Sequence, residues 1–272
     1  MPSTYAHYRF GKEIKDLLDT NKQKIIEQYP TLFQLGVHGP DLLFYYHPLH
    51  HNDVSALGNT IHSLPAEQFF GPLFQRLKET DSPAALAYLY GYLCHFGLDT
   101  TCHTYIEKIQ AEHIACHSEI EDDLERALLV LDHYDPVRYP LYQLIDYRKE
   151  DIPVIQSFYP TLDEHVIKTA IKGMRFYHHL LYCPHPFKRR LLIQGIKWIG
   201  QHPNLTGHIV MPEPDLRLQS TTAHLLTLYE KAKHVAIELF ASLDDALLAG
   251  QVNHPYYQRT FDINEEEIQI EA

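Results

Sequence analysis

Within the run Gly91-Tyr-Leu-Cys-His95-Phe-Gly-Leu-Asp99-Thr-Thr-Cys-His103, three residues with metal-ligand chemistry recur at every fourth position: His95, Asp99 and His103. If the run is helical, positions i, i+4 and i+8 project from one face. His117 and Glu121 repeat the spacing in His117-Ser-Glu-Ile-Glu121. Imidazole nitrogen and carboxylate oxygen are the usual ligands of Zn²⁺ and related ions. Five such groups on two consecutive helical segments point to a metal cluster inside a helical bundle. Further ligand-type residues stand upstream: His7 ahead of the first expected helix, Asp41 at the end of the Gly39-Pro40-Asp41 turn, and His62 in Gly58-Asn-Thr-Ile-His62-Ser-Leu-Pro65.

The elements that must position these residues read as helices. Ser82 is a helix cap and Pro83 suits a first turn, so a helix is expected over 84–110. It is apolar nearly all round before Asp99, which marks it as central and buried. Polar groups on a buried helix need partners, and a metal ion supplies them. A second helix is expected over 117–133, with Leu124, Ala127, Leu128 and Leu131 as its apolar stripe. Amphipathic patterning also predicts helices over 12–28, 163–182, 187–199 and 220–248. The stretches 36–65 and 201–216 read as long loops, and Pro136, Pro140 and Pro153 punctuate a connection. With no internal repeat and no β-hairpin signal, the expected fold is an all-α multi-helix bundle with the metal site in a cleft. The expected division is a core over 1–135, additional helices packed on it over 136–261, and an acidic, solvated tail over 262–272.

Composition narrows the function. The 272 residues carry 23 Lys and Arg against 35 Asp and Glu, a net charge of −12. Such a chain has no general attraction to nucleic acid or anionic membrane, and no stable nucleic-acid complex is expected. Of the 20 histidines, the single ones (His38, His133, His165, His208, His234) read as surface or core residues. His47, His50 and His51 either rim the cleft or form an exposed run. His178, His179 and His185 read as packing and capping groups, and Phe187-Lys188-Arg189-Arg190 as a solvated helix start. Cys94, Cys102, Cys116 and Cys183 show no C-x-x-C spacing and read as buried free thiols. No apolar leader and no stretch of about 20 apolar residues is present, so no transmembrane segment and a cytoplasmic location are expected.

The ordered set His7, Pro40-Asp41, His62, His95-x-x-x-Asp99, His103 and His117-x-x-x-Glu121 resembles the zinc-dependent phospholipase C family, whose wider fold group includes single-strand-specific zinc nucleases. The resemblance covers about residues 1–135. It implies an all-helical protein with two to three Zn²⁺ at the bottom of a cleft: one on Asp41, His62, His95 and Asp99; a second on His103, His117 and Glu121; a third on His7 and a bridging Asp99. Three ions and three carboxylates would leave a local charge of about +3, suited to a phosphodiester. Secreted members complete the third site with an N-terminal tryptophan, whereas the one tryptophan here is Trp198. Either the Pro2 amine, freed by removal of Met1, substitutes or the third position stays unfilled. The implied activity is zinc-dependent phosphodiester hydrolysis on a phospholipid headgroup or small phosphodiester, with Asp41 orienting or deprotonating the attacking water. A non-catalytic zinc protein, structural or sensing, and a nuclease-like phosphodiesterase are the alternatives. No His-Asp dipeptide and no His-Glu-x-x-His occurs, which removes the other helical metallophosphohydrolases and the zinc metalloproteases.

Overall fold

Helix α6 (Pro83–Ala111) holds 29 residues, and most of its side chains between Ala85 and Ile109 are buried. In the computed structural model, which describes residues 4–80, 82–198 and 208–263, it runs through the main core. The expected start is present: Ser82 Oγ accepts the Ala85 N–H, and Pro83 occupies the first turn. Helices α3 (Pro30–Gly36) and α11 (Gln219–Ala249) pack most extensively on α6, with α1 (Thr4–Leu17) and α2 (Thr20–Gln28) beside them. The α3–α6 crossing is backbone on backbone. A Cβ at Gly36 would lie 2.2 Å from the Tyr88 carbonyl oxygen, and one at Gly91 would lie 2.2 Å from that of Phe33.

Three expectations are corrected. The helix expected over 12–28 is two helices, because Asp19 ends one and caps the next by accepting the N–H groups of Asn21 and Lys22. Since α1 begins at Thr4, His7 lies inside a helix, one turn from its start, rather than ahead of it. The stretch 36–65, read as a loop, contains a 3₁₀ segment (Gly39–Tyr45) and helix α4 (Asp53–Ser63). A capping box between Asn52 and Ser55 starts α4. Helix α5 (Glu67–Thr80) was not anticipated either, for Pro72 lies inside it.

Helix α7 (His117–Leu131) follows α6 closely. The proline-punctuated connection holds a 3₁₀ segment (Leu141–Leu144) and the short α8 (Asp151–Gln156), with Pro153 in its first turn. Asp163 caps α9 (Glu164–Leu181), α10 spans Pro186–Trp198, and α11 ends at Gly250 in the left-handed region with φ +73°. Ile199, residues 201–207 of the expected loop and 264–272 of the expected tail lie outside the described residues. Among the described residues there is no strand, and no helix is long and apolar enough to cross a membrane.

Candidate metal centre

Five elements deliver the eight ligand-type side chains to one place. Helix α6 presents His95, Asp99 and His103 from one face, and α7 adds His117 and Glu121 one turn apart. His7 arrives on α1, Asp41 on the 3₁₀ segment and His62 on α4. Glu125 of α7 accepts the Tyr5 N–H at 2.6 Å, which ties the first turn of α1 to the helix carrying Glu121. All eight are buried except His117, which is half-buried.

Their ligand atoms form three groups, each within 4.8 Å: Asp41, His62 and His95; His7, His95 and Asp99; and His103, His117 and Glu121. Asp99 joins them. Its Oδ2 lies 2.9 Å from His95 Nε2 and 3.9 Å from His62 Nε2, while its Oδ1 lies 3.2 Å from His7 Nε2 and 3.6 Å from His103 Nε2. Glu121 Oε1 lies 3.4 Å from His103 Nε2 and 3.2 Å from His117 Nε2, and Asp41 Oδ1 lies 3.1 Å from His62 Nε2. The rings of His7 and His95 stack with centroids 4.4 Å apart.

A second layer aims these imidazoles. His62 Nδ1 donates to the Gly58 carbonyl at 2.8 Å and His95 Nδ1 to the Val37 carbonyl at 3.2 Å. His117 Nδ1 donates to Glu107 Oε1 at 2.6 Å. Acceptors of this kind fix the proton on Nδ1 and turn the Nε2 lone pair toward the site, the arrangement found behind metal-ligating histidines. His103 Nδ1 lies 3.4 Å from Asp262 Oδ1. The expectation that Asp262 belongs to a solvated tail is therefore corrected. The chain returns after α11, where the Ala66 N–H donates to the Arg259 carbonyl and the Phe261 N–H to that of His62. Phe261 is fully buried against His62 and His95.

The chemistry of this set fits a divalent cation. His95 Nε2 faces Asp99 Oδ2 at 2.9 Å and His117 Nε2 faces Glu121 Oε1 at 3.2 Å; with the ring protons on Nδ1 these are buried lone pairs against carboxylate oxygens, a costly state unless a cation binds among them. Among the described residues, Asp41 and Asp99 have only imidazoles within ion-pair range, and no Lys or Arg. Burial works against ionising Asp99, yet His103, His95 and His7 hold it well below the usual carboxylate range. Asp41 is likewise buried and likewise lowered, by His95 and His62. Both are therefore anions sharing buried imidazoles. Mixed nitrogen and oxygen donors without thiolate match zinc sites that stay open to water or substrate.

Above this floor lies a cleft of about 500 Å³, bordered by His62, His103 and His117 together with Phe44, Asn59 and His208. His208, read as one of the isolated histidines, thus faces the cleft. Glu107 and Asp262 stand on its walls as well. Asp41 sits deeper, among the residues of the floor. His47, His50 and His51 are exposed and join none of the groups. His178 is a packing group, its Nε2 3.0 Å from Thr4 Oγ1 and 3.1 Å from the Tyr45 hydroxyl. None of the four cysteines is in a disulfide; Cys94, Cys102 and Cys183 are buried and Cys116 is half-buried at the start of α7. The Pro2 amine lies outside the described residues.

A family model described as zinc dependent phospholipase C matches residues 6–172. The matched span covers more than half of the chain and runs from α1 into α9, taking in all eight ligand-type residues. No curated protein and no solved structure gives a significant match.

Proposed function

Because the chain belongs to the zinc-dependent phospholipase C family, we propose that it hydrolyses the phosphodiester bond of a phospholipid headgroup or a small soluble phosphodiester. His7, Asp41, His62, His95, Asp99, His103, His117 and Glu121 hold two to three Zn²⁺ in this reading, with Asp99 between the groups. When bound, the ions polarise the phosphoryl oxygen and lower the pKa of water. Asp41, to the extent that its carboxylate is not taken up as a ligand, orients the attacking water and accepts its proton. The water oxygen bonds to phosphorus as the bond to the ester oxygen breaks, and the leaving oxygen takes up a proton from solvent, giving an alcohol and a phosphomonoester.

The observation that supports this reading best is the convergence of five elements on one set of ligand-type residues, with Asp99 among four of its imidazoles and no Lys or Arg beside Asp41 or Asp99 among the described residues. A phosphodiester is an anion, and its charge grows as the nucleophile adds. A floor built from imidazoles and carboxylates attracts it only when cations are bound there. The test is zinc analysis of the purified protein together with a panel of chromogenic phosphodiesters and phospholipids, on the wild type and His95→Ala. Zinc with turnover in the wild type, and loss of both in the variant, is expected. Zinc without turnover on any substrate returns the protein to the non-catalytic alternative. A wild type that binds no zinc removes the reading.

A further inference from the structure

Residues 165–212 contain no Asp or Glu, although the whole chain has 35. The same segment carries Lys168, Lys172, Arg175, Lys188, Arg189, Arg190 and Lys197. Four of these cations lie on α10, and among the described residues none of the four has a carboxylate within ion-pair range. Helix α10 also has the most exposed aromatic residues of the described chain: Trp198 is 91% exposed and Phe187 74%, with Leu191 at 57%.

Their spacing makes one stripe. At about 100° per residue, Phe187, Leu191 and Trp198 fall within about 40° of one another. Lys188 flanks the stripe on one side, and Arg190 and Lys197 flank it on the other. The opposite face, Leu192, Ile193 and Ile196, packs on Leu181, Cys183 and Ile209 in a small cluster separate from the main core. The outward stripe is therefore not the helix's packing face. An outward band of Phe, Leu and Trp edged by Lys and Arg is the composition of a helix that lies in a lipid headgroup layer.

We propose that the outer face of α10 docks the protein on an anionic lipid bilayer. Charge complementarity selects this occupant. Apposing two copies of this face would bring Lys188, Arg190 and Lys197 against the same three cations, which disfavours self-association across it. An anionic headgroup layer neutralises the cations while its acyl boundary takes up Trp198, Phe187 and Leu191. The inner face of α10 rests on Ile209, and the preceding residue, His208, lines the cleft. A docked α10 thus holds the cleft beside the headgroup layer. Docking itself needs no metal; only its use in delivering phospholipid to the cleft rests on the proposed activity.

Trp198 is the sole tryptophan, so its fluorescence reports this surface alone. The full chain is titrated with vesicles of phosphatidylcholine and with vesicles of phosphatidylcholine and phosphatidylserine, and co-flotation is measured in parallel. With the anionic vesicles, a blue shift, quenching by brominated acyl chains and loss of binding at high salt are expected. Lys188→Gln/Arg190→Gln/Lys197→Gln should weaken binding by about a hundredfold, at roughly fivefold per basic side chain. Phe187→Ala/Leu191→Ala should leave the salt dependence but remove most of the affinity. Circular dichroism verifies the fold of each variant. An unshifted Trp198 with anionic vesicles overturns the proposal, as does equal binding by the charge-neutralised variant. A lipid-free shift that tracks protein concentration assigns the face to self-association, and a shift with a soluble polyanion but not with vesicles assigns it to an acidic partner; both overturn it. None of these readouts requires turnover, so failure here is distinct from failure of the zinc reading.

Discussion

Replacing Glu107 by glutamine separates charge from hydrogen bonding behind one ligand. Glu107 Oε1 accepts from His117 Nδ1 at 2.6 Å, and that bond pulls the carboxyl below its ordinary range. Glutamine accepts the same bond without the charge. It also matches glutamate in helix propensity, so α6 keeps its geometry. The Glu107 side chain is 28% exposed, and the change should alter folding stability by less than about 0.5 kcal/mol. Mutating a partner of this kind lowers metal affinity by about 10–100-fold, or about 1.4–2.8 kcal/mol. The loss should fall on the ion at His103, His117 and Glu121, because His62 and His95 are braced by the Gly58 and Val37 carbonyls instead. Asp262→Asn should act in the same direction on His103 through its longer 3.4 Å contact, and its effect should lie near the lower end of the range. Titration of metal-free protein with zinc against a chromogenic chelator resolves tight and weak ions. If wild type and Glu107→Gln give superimposable curves, or if every ion is weakened equally, the assignment of Glu107 to His117 is wrong.

Gly39→Ala should strip zinc from His95 while leaving all eight ligands in the sequence. Gly39 has φ +47°, and a Cβ there would lie 2.3 Å from His95 Cδ2; the left-handed backbone alone costs an alanine about 1–2 kcal/mol. Zinc content by mass spectrometry measures it, and a full complement would contradict it. Gly36→Ala should separate α3 from α6 and cost about 1–3 kcal/mol in urea unfolding, since its Cβ would meet the Tyr88 carbonyl at 2.2 Å; an unchanged midpoint would show the crossing to be loose. Asp132→Asn should cost about 1 kcal/mol, because Asp132 Oδ2 accepts from the Tyr5 hydroxyl at 2.6 Å and from Arg9 Nε at 2.8 Å at a partly exposed site. Burial opposes ionisation of Asp132, but the bonds from Arg9 and Tyr5 hold it below its ordinary value of 3.8. The stabilisation is therefore complete above that value and lost as pH falls through the lower folded value. The gap between wild type and variant in denaturant should close below pH about 3.8.

The long helices, and the grouping of His95, Asp99, His103, His117 and Glu121, were legible because both rest on local spacing. Every-fourth-residue placement of His95, Asp99 and His103 survives folding unchanged once Ser82 and Pro83 start α6. The short elements were not legible. Asp19 looked like one polar residue in an amphipathic run, and only its accepted N–H bonds make it the end of one helix and the start of the next. Gly39–Tyr45 and α4 were hidden by glycine, proline and histidine, residues that read as loop until the Asn52–Ser55 box is seen. Asp41 was nevertheless singled out, from the Gly39-Pro40-Asp41 turn, even though the element around it was read as loop, and the structure brings it beside His62 and His95.

What sequence spacing cannot supply is the second layer and the surface. Glu107 shares a helix with His103 but serves His117 on the next one, and Asp262 reaches His103 from the far end of the chain. No periodicity links either carboxylate to its imidazole. The signal that existed was chemical rather than positional: a ligating histidine needs an acceptor on its other nitrogen, so carboxylates near the ends of ligand-bearing segments were candidates. Net charge is equally silent on where charge lies. A value of −12 averages the acid-free segment 165–212, which includes α10 with the exposed Trp198 at its end, with an acid-rich remainder. Attraction to a surface falls off within about 10 Å at moderate salt, so it is set by the helix nearest that surface and not by the total. A protein repelled on average can therefore still dock in one orientation, and the repulsion of its other faces would favour that orientation over the rest.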